Sequence, residues 1–409
     1  MTKLRVLWAS DAPWATSGYS VETALTCVRL KEHCDLALIA TFGLHGGMQE
    51  WNGIPVFPGG ADAFSNDVIG KAAKAWQADV IITLKDALVF QPQTFNGFRW
   101  IPMTPCDHDP STPQVIERVR QSYRTIAYAP HGFRALRKAG LDPLYAPHAY
   151  DPAIYYPMEK ADAHKTLGLP DDLFIIGTVA VNRGGLPSRK AWIENLEAFA
   201  QFAHDKPNVR YFVHTDLADD NYEAGVTLRV IIAQLGIADK VLFCDQERYR
   251  YGGFPPEYMR AYYNSIDVLN AVSNGEGFGI PVLEAQACGV PVIVGDWCAH
   301  EDLCFAGWKV AKHEAHHFYD QQQGYVFIPN PAAIADRMGR AYTALYPPCG
   351  VDWRDVMRDQ AIAGATPYQI DTVIRDHWIP LLAELERDIH NPRSRGVLRI
   401  IRREEVFSI

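Results

Sequence analysis

The 409-residue chain has no C-x-x-C pair among its eight cysteines, no apolar run long enough to cross a membrane and no excess of positive charge. Four of the scattered thiols sit inside apolar runs, where a cysteine behaves as a small hydrophobe. A disulfide-stapled scaffold is thereby excluded, and a reducing compartment, the cytoplasm, is expected. The apolar stretch in MTKLRVLWASDAP breaks at Ser10 and Asp11, too early for a signal sequence or a membrane span, so no integral membrane segment is expected. Lys plus Arg is 39 against 48 Asp plus Glu, a net charge of −9. That balance opposes non-specific affinity for nucleic acid or anionic lipid over the whole surface and leaves room for a local basic cleft. With 48% hydrophobic and 21% charged residues, the composition is that of a globular protein long enough for two to three domains.

The first part alternates short apolar runs, LRVLWA (4–9), LALIAT (36–41), DVIITL (79–84), RWIPMT (99–104), RTIAYA (124–129) and PLYAP (143–147), with helix-length segments at 17–32, 65–76, 113–122 and 131–139. Such alternation specifies a parallel, doubly wound sheet. The proline-rich, charged stretch 148–172 interrupts the pattern, and LFIIGTVA (173–180) restarts it. Helices are expected at 189–205, 224–236, 256–264, from Pro281, at 331–345 and at 368–388, with strands at 209–214, 240–244, 267–273 and 290–295. No internal repeat is visible. The expected division is a first Rossmann-like domain at 1–150, a linker at 151–172, a second Rossmann-like domain at 173–365, and a 366–409 segment whose helix packs back on the first domain ahead of a basic tail. Two such halves imply a cleft between them.

The most informative stretch is SNGEGFGIPVLEAQACGVPVIVGD (273–296). A strand leads into a loop bearing Gly275, Gly277 and Gly279, where backbone can approach a ligand closely; Pro281 suits a first helical turn and Gly289 the position past its end. A helix N-terminus at the carboxyl edge of a parallel sheet is a ready anion site, and a diphosphate fits it. Glu276 in the loop and Glu284 one turn into the helix bracket that site. Carboxylates beside phosphates are poor phosphate ligands, so these two are expected to accept hydrogen bonds from sugar hydroxyls. Arg183 follows a strand and Lys190 opens a helix, so both cations can converge on one diphosphate and neutralise a leaving phosphate.

The run E-G-F-G-I-P-V-L-E-A-Q-A-C-G-V-P-V-I resembles the E-x7-E signature of retaining family-4 glycosyltransferases of the GT-B fold, with Glu276 and Glu284 at its acidic positions. APHAYDPAIYYP (146–157) resembles that family's inter-domain segment, with His148, Ala149 and Tyr150 in place of the usual Asn-Gly-Val. GTVAVNRGGLPSRKAW (177–192) resembles the element that opens its donor domain. The resemblance implies two Rossmann-like α/β domains facing a cleft and metal-independent, retaining transfer from a nucleotide diphosphate sugar to a hydroxyl. A UDP-sugar is favoured over a GDP-sugar, and no other cofactor is implied. It casts Glu276, Arg183, Lys190 and His108 as catalytic, and Ser17, Gly18, Gly277, Phe278, Gly279 and Glu284 as donor-binding.

Asp86 and Asp107 follow strands of the first domain, where a doubly wound sheet binds ligands, and are expected to face the acceptor. Asp107-His108-Asp109 also reads as D-x-D, a metal-binding motif of the other large glycosyltransferase fold; it is shorter than the match at 276–292, and no metal is expected. In HEAHH (313–317), His313 and His317 have a spacing that could ligate zinc on a helix, but no third ligand is evident, and a solvated or acceptor-side loop is expected. RSRGVLRIIRREE (393–405) is read as a solvated helix face. A non-catalytic sugar-nucleotide-binding subunit would be expected to lack one or more of Glu276, Glu284, Arg183 and Lys190, and all are present. An epimerase of the same fold is the other alternative. The acceptor class stays open among modified nucleic acid, protein, glycan and small molecule.

Overall fold

The computed structural model describes residues 3–218, 225–347 and 351–390. The first lobe is a sheet of β1 (Arg5–Asp11), β2 (Asp35–Phe42), β3 (Gln49–Trp51), β4 (Ile54–Phe57), β5 (Val80–Leu84), β6 (Trp100–Met103), β7 (Ile126–Ala127) and β8 (Leu144–Tyr145). Its order is β3-β4-β2-β1-β5-β6-β7-β8. Every pair is parallel except β3 with β4. That hairpin turns at Asn52-Gly53, both with positive φ, a pair suited to a tight two-residue turn. The central strands are buried on both faces, which is why they read as continuous apolar runs.

The second lobe is a parallel sheet of β9 (Phe174–Val179), β10 (Val209–His214), β11 (Val241–Phe243), β12 (Val268–Asn270), β13 (Val292–Gly295) and β14 (Gly307–Val310). Its order is β11-β10-β9-β12-β13-β14. Each sheet reverses its strand order once, between β1 and β5 in the first and between β9 and β12 in the second. Loops at the carboxyl ends of strands flanking such a point border a ligand crevice. Those loops carry Ser17, Lys85 and Asp86 in one lobe, and Arg189, Lys190 and Glu276 in the other.

The helix expected from Pro281 spans Ile280–Ala287, and Gly289 past its end has φ +82°. The β3–β4 hairpin, β14 and a helix at Lys160–Leu167, inside the expected linker, add to the elements expected from sequence, and two further segments differ from it. HEAHH, expected as a loop, is ordered: His313 lies in a single 3-10 turn (Lys312–Glu314) and His317 on β15 (Ala315–Tyr319), which pairs antiparallel with β16 (Tyr325–Pro329). The ring of His317 stacks on Tyr325 and Phe327, at centroid distances of 4.3 and 4.9 Å, so the two histidines fall on different elements and do not share a helix face. The helix at Arg354–Ala365 has no sequence signal because its buried residues are two alanines, Ala361 and Ala365, too small to print a periodicity.

The helical run Ile370–His390 returns to the first lobe. Trp378 packs on Trp8 with ring centroids 5.6 Å apart, Arg29 pairs with Asp371 at 2.7 Å, and Arg124 reaches Glu384 and Asp388 at 2.9 Å each. One apolar cluster passes from Trp8 and Tyr128 through Phe278 and Leu283 to Trp378, so the lobes share a core. The basic segment 393–405 lies outside the described residues.

Candidate functional site

The short β12 ends in a loop whose glycines are set by the opposite lobe. A Cβ at Gly275 would collide with the carbonyl oxygen of Asp107, and one at Gly277 would stand 2.7 Å from the Cβ of Pro105 and 3.0 Å from the Tyr128 hydroxyl. Cys298 Sγ also donates to the Asp107 carbonyl, at 3.3 Å. These two glycines admit the 105–109 loop of the first lobe, whereas the sequence suggested that they admit a ligand. Gly279 caps the Ile280–Ala287 helix with φ +109° and is covered by the ring of His300. Opposite it, Gly18 opens the Gly18–Leu30 helix, and a Cβ there would touch the Ile280 side chain at 3.7 Å. Two helix N-termini thus face one cleft.

Glu276 is buried at the centre of this cleft. Lys190 Nζ donates to its Oε1 and Arg189 Nη1 lies 3.1 Å from its Oε2. Burial alone would raise the carboxyl pKa, but the Arg189 and Lys190 cations hold it well below the usual carboxylate range. Burial, and then Arg189, press the Lys190 pKa down. It is Arg189, not Arg183, that shares the carboxylate with Lys190. Arg183 is exposed, and the groups its charge acts on include Asp216 and Tyr249. The sequence signal for Arg189 was the Arg-Lys pair itself.

Glu284 faces inward. Tyr263 donates to its Oε2 at 2.7 Å, and Tyr155, from the linker, hydrogen-bonds the same carboxyl. Burial raises its pKa to about 7 against the opposing pull of these tyrosines. A carboxylate accepts about four hydrogen bonds, so two acceptor positions remain for hydroxyls. The Phe278 side chain is buried against Tyr128, His148 and Tyr368, so its ring is a packing group and does not line the cleft.

On the first lobe Ser17 caps its helix by accepting from the Ser20 N–H at 3.1 Å and donates to Asp11 at 2.7 Å. Lys85 pairs with the same Asp11 at 2.5 Å and lies over the Tyr19 ring. Asp86 accepts from the Leu88 N–H at 2.9 Å, and burial, with Asp107 nearby, raises its pKa. Tyr19 feels Asp86, Asp107 and Arg189 together, so the structure brings these groups to one place.

His108, expected in the cleft as a catalytic group, is buried with both ring nitrogens taken. Nδ1 pairs with Asp107 at 2.8 Å and Nε2 with Asp320 at 3.1 Å. Burial opposes its charged form, yet the two carboxylates raise its pKa to about 9. Asp320 lies in the turn between β15 and β16, so the ring ties the lobes together and is not presented to a substrate. Asp109 pairs with Lys312 at 2.8 Å, so the two acids of D-x-D engage separate partners. Among the described residues no group of three or more His, Cys, Asp or Glu side chains is placed to hold a metal ion, and no helix is long and apolar enough to cross a membrane.

Residues 161–343 match the family model described as Glycosyl transferases group 1. The chain is 31% identical over 151 residues to a D-inositol 3-phosphate glycosyltransferase of Acidothermus cellulolyticus, covering 36% of this chain and 31% of that protein. It is 30% identical over 197 residues to one from Mycobacterium avium, covering 47% of this chain and 42% of that protein. The matched part thus spans less than half of those relatives. Sucrose-phosphate synthase from Thermosynechococcus elongatus superposes with a TM-score of 0.72 at 15% identity, over 95% of this chain and 100% of that one. Anabaena Alr3699/HepE, solved with UDP and glucose, superposes with a TM-score of 0.66 at 14% identity, over 93% and 100%. These likenesses establish the GT-B fold.

Proposed function

We propose that this chain, which carries the glycosyl transferases group 1 segment at residues 161–343 on a GT-B fold, transfers a sugar from a nucleoside diphosphate to a hydroxyl acceptor with retention of configuration and without a metal. The observation that carries the reading is the Glu276 carboxylate held by Lys190 and Arg189 beside the N-terminus of the Ile280–Ala287 helix. An ammonium has three donors and a guanidinium five, so both cations can hold Glu276 and still donate to a phosphate. Together with the helix N-terminus they stabilise charge on a departing diphosphate. In the step, the bond from sugar C1 to the phosphate oxygen breaks and the electron pair leaves with the diphosphate. The acceptor oxygen bonds to C1 on the same face, and its proton passes to the departing phosphate oxygen.

Glu276 accepts from hydroxyls of the transferred sugar, and Glu284, oriented by Tyr263 and Tyr155, accepts from the ribose. UDP-sugars are the favoured donors, in keeping with the UDP in the Alr3699/HepE structure. The test is incubation of the full chain with UDP- and GDP-sugars, with and without excess chelator, reading released nucleoside diphosphate and, by proton NMR, the configuration of the first product. Release that survives chelator, with a retained anomer, is expected. Conversion of the sugar without release identifies an epimerase; restoration of a chelated enzyme by Mn²⁺ overturns metal independence.

A further inference from the structure

His300 opens the turn His300–Leu303 after β13 and is 3% exposed. Among the described residues its Nε2 has no hydrogen-bond partner. The Nε2 edge of the ring lies against the α-carbon of Gly279, so close that any Cβ there would overlap it. Glu276, Lys190 and Arg189 all act on the ring electrostatically. Burial, aided by the two cations and opposed by Glu276, brings its pKa down to about 4, so at neutral pH the ring is an uncharged donor and acceptor. A buried nitrogen left unpaired costs free energy and calls for an explanation.

The helix that His300 covers is short of donors. An α-helix opens with four N–H groups that have no intrahelical partner, but here Pro281 has none to give. Val282 and Leu283 already donate to the Gly279 carbonyl, at 2.9 and 3.3 Å. The Gly279 and Ile280 N–H groups are what the helix can offer an anion, and the nitrogen beside them is His300 Nε2.

We propose that His300 is a substrate-contacting residue whose Nε2–H donates to the β-phosphate of the donor at the Ile280–Ala287 N-terminus, supplying the hydrogen bond that Pro281 cannot. This rests on the nucleoside diphosphate reading above. Neither composition nor spacing pointed to His300, since its sequence context, DWCAHEDL, carries no phosphate-binding pattern.

Calorimetric titration of the full chain with UDP, UMP, GDP and GMP tests it. His300→Ala is expected to weaken diphosphate binding about tenfold, as one hydrogen bond to a charged group would, while monophosphate binding stays unchanged. His300→Gln, which returns an N–H near the Nε2 position, is expected to recover most of that loss, and His300→Phe, which fills the space of the ring with no donor, is expected to lose the same tenfold and replaces the alanine variant if that one does not fold. A wild-type chain that binds neither diphosphate defeats the functional reading and this inference with it. A wild type that binds, with an unaltered diphosphate-to-monophosphate ratio in the folded variants that lack the donor, His300→Ala or His300→Phe, overturns the role of His300 alone.

Discussion

The carbonyl oxygen of Asp107 occupies the space that a side chain at Gly275 would need. Closure of the two lobes is therefore written into a backbone contact that a single methyl group abolishes. Gly275→Ala is expected to keep the second lobe folded and able to bind nucleoside diphosphate while turnover falls by about 10²-fold, the scale of an ångström-sized misplacement of reacting groups. Small-angle scattering should show a more open particle. Unchanged dimensions and normal turnover would show that the 105–109 loop yields locally to the added methyl and that closure does not depend on this contact.

Glu276→Gln retains the shape of the side chain and removes the charge that Arg189 and Lys190 clamp. A contact that strengthens as the sugar ring flattens belongs to the transition state. Steady-state kinetics are expected to show kcat lowered by at least ~10²-fold, about 2.7 kcal/mol, with nucleotide affinity nearly intact. A raised KM at near-normal kcat would reassign Glu276 to ground-state donor binding.

The His108 latch makes stability depend on pH. Its pKa is raised from 6.5 to about 9 by Asp107 and Asp320 against the effect of burial, so the stabilisation is fully present below pH 6.5 and is lost as pH rises through 9. For this buried side chain the amount is about 2 to 3 kcal/mol. Thermal unfolding followed from pH 7 to pH 10 should show Tm falling, and falling less in Asp320→Asn, which begins with a weaker latch. Parallel curves for the two proteins would detach His108 from the effect.

Glu284 titrates near neutrality because burial raises its carboxyl to about 7 while Tyr263 and Tyr155 hold it down. Below that pH the group is neutral; above it, the proposed contact with the ribose has a carboxylate to accept from both hydroxyls. Nucleotide affinity should therefore rise as pH passes upward through 7, and Tyr263→Phe should move the midpoint higher. Glu284→Ala should cost about 1–3 kcal/mol above the midpoint and flatten the profile. Equal affinities for UDP and 2′-deoxy-UDP in the wild type would remove Glu284 from the ribose.

The parallel lobes are legible in the sequence because most of their strands and helices carry a local apolar period; the short β14 and the Arg354–Ala365 helix do not. So are the strand, glycine loop and helix around Glu276, because all lie within one short segment. Contacts between distant segments become visible only in the folded chain. Arg189 and Arg183 are equally basic on paper, and only the path of the 180–191 loop selects Arg189 as the partner of Glu276. His108 reads as an available loop histidine until a hairpin 212 residues away places Asp320 on its Nε2. The glycines at 275 and 277 announce a close approach, but that they approach Asp107 and Pro105 follows from closure of the lobes. His300 has no sequence signature because what sets it apart, a buried nitrogen against Gly279, exists only once β13 and the Ile280–Ala287 helix pack side by side. Periodicity encodes what a segment forms with itself; which charge meets which across a cleft depends on how two separately wound sheets dock.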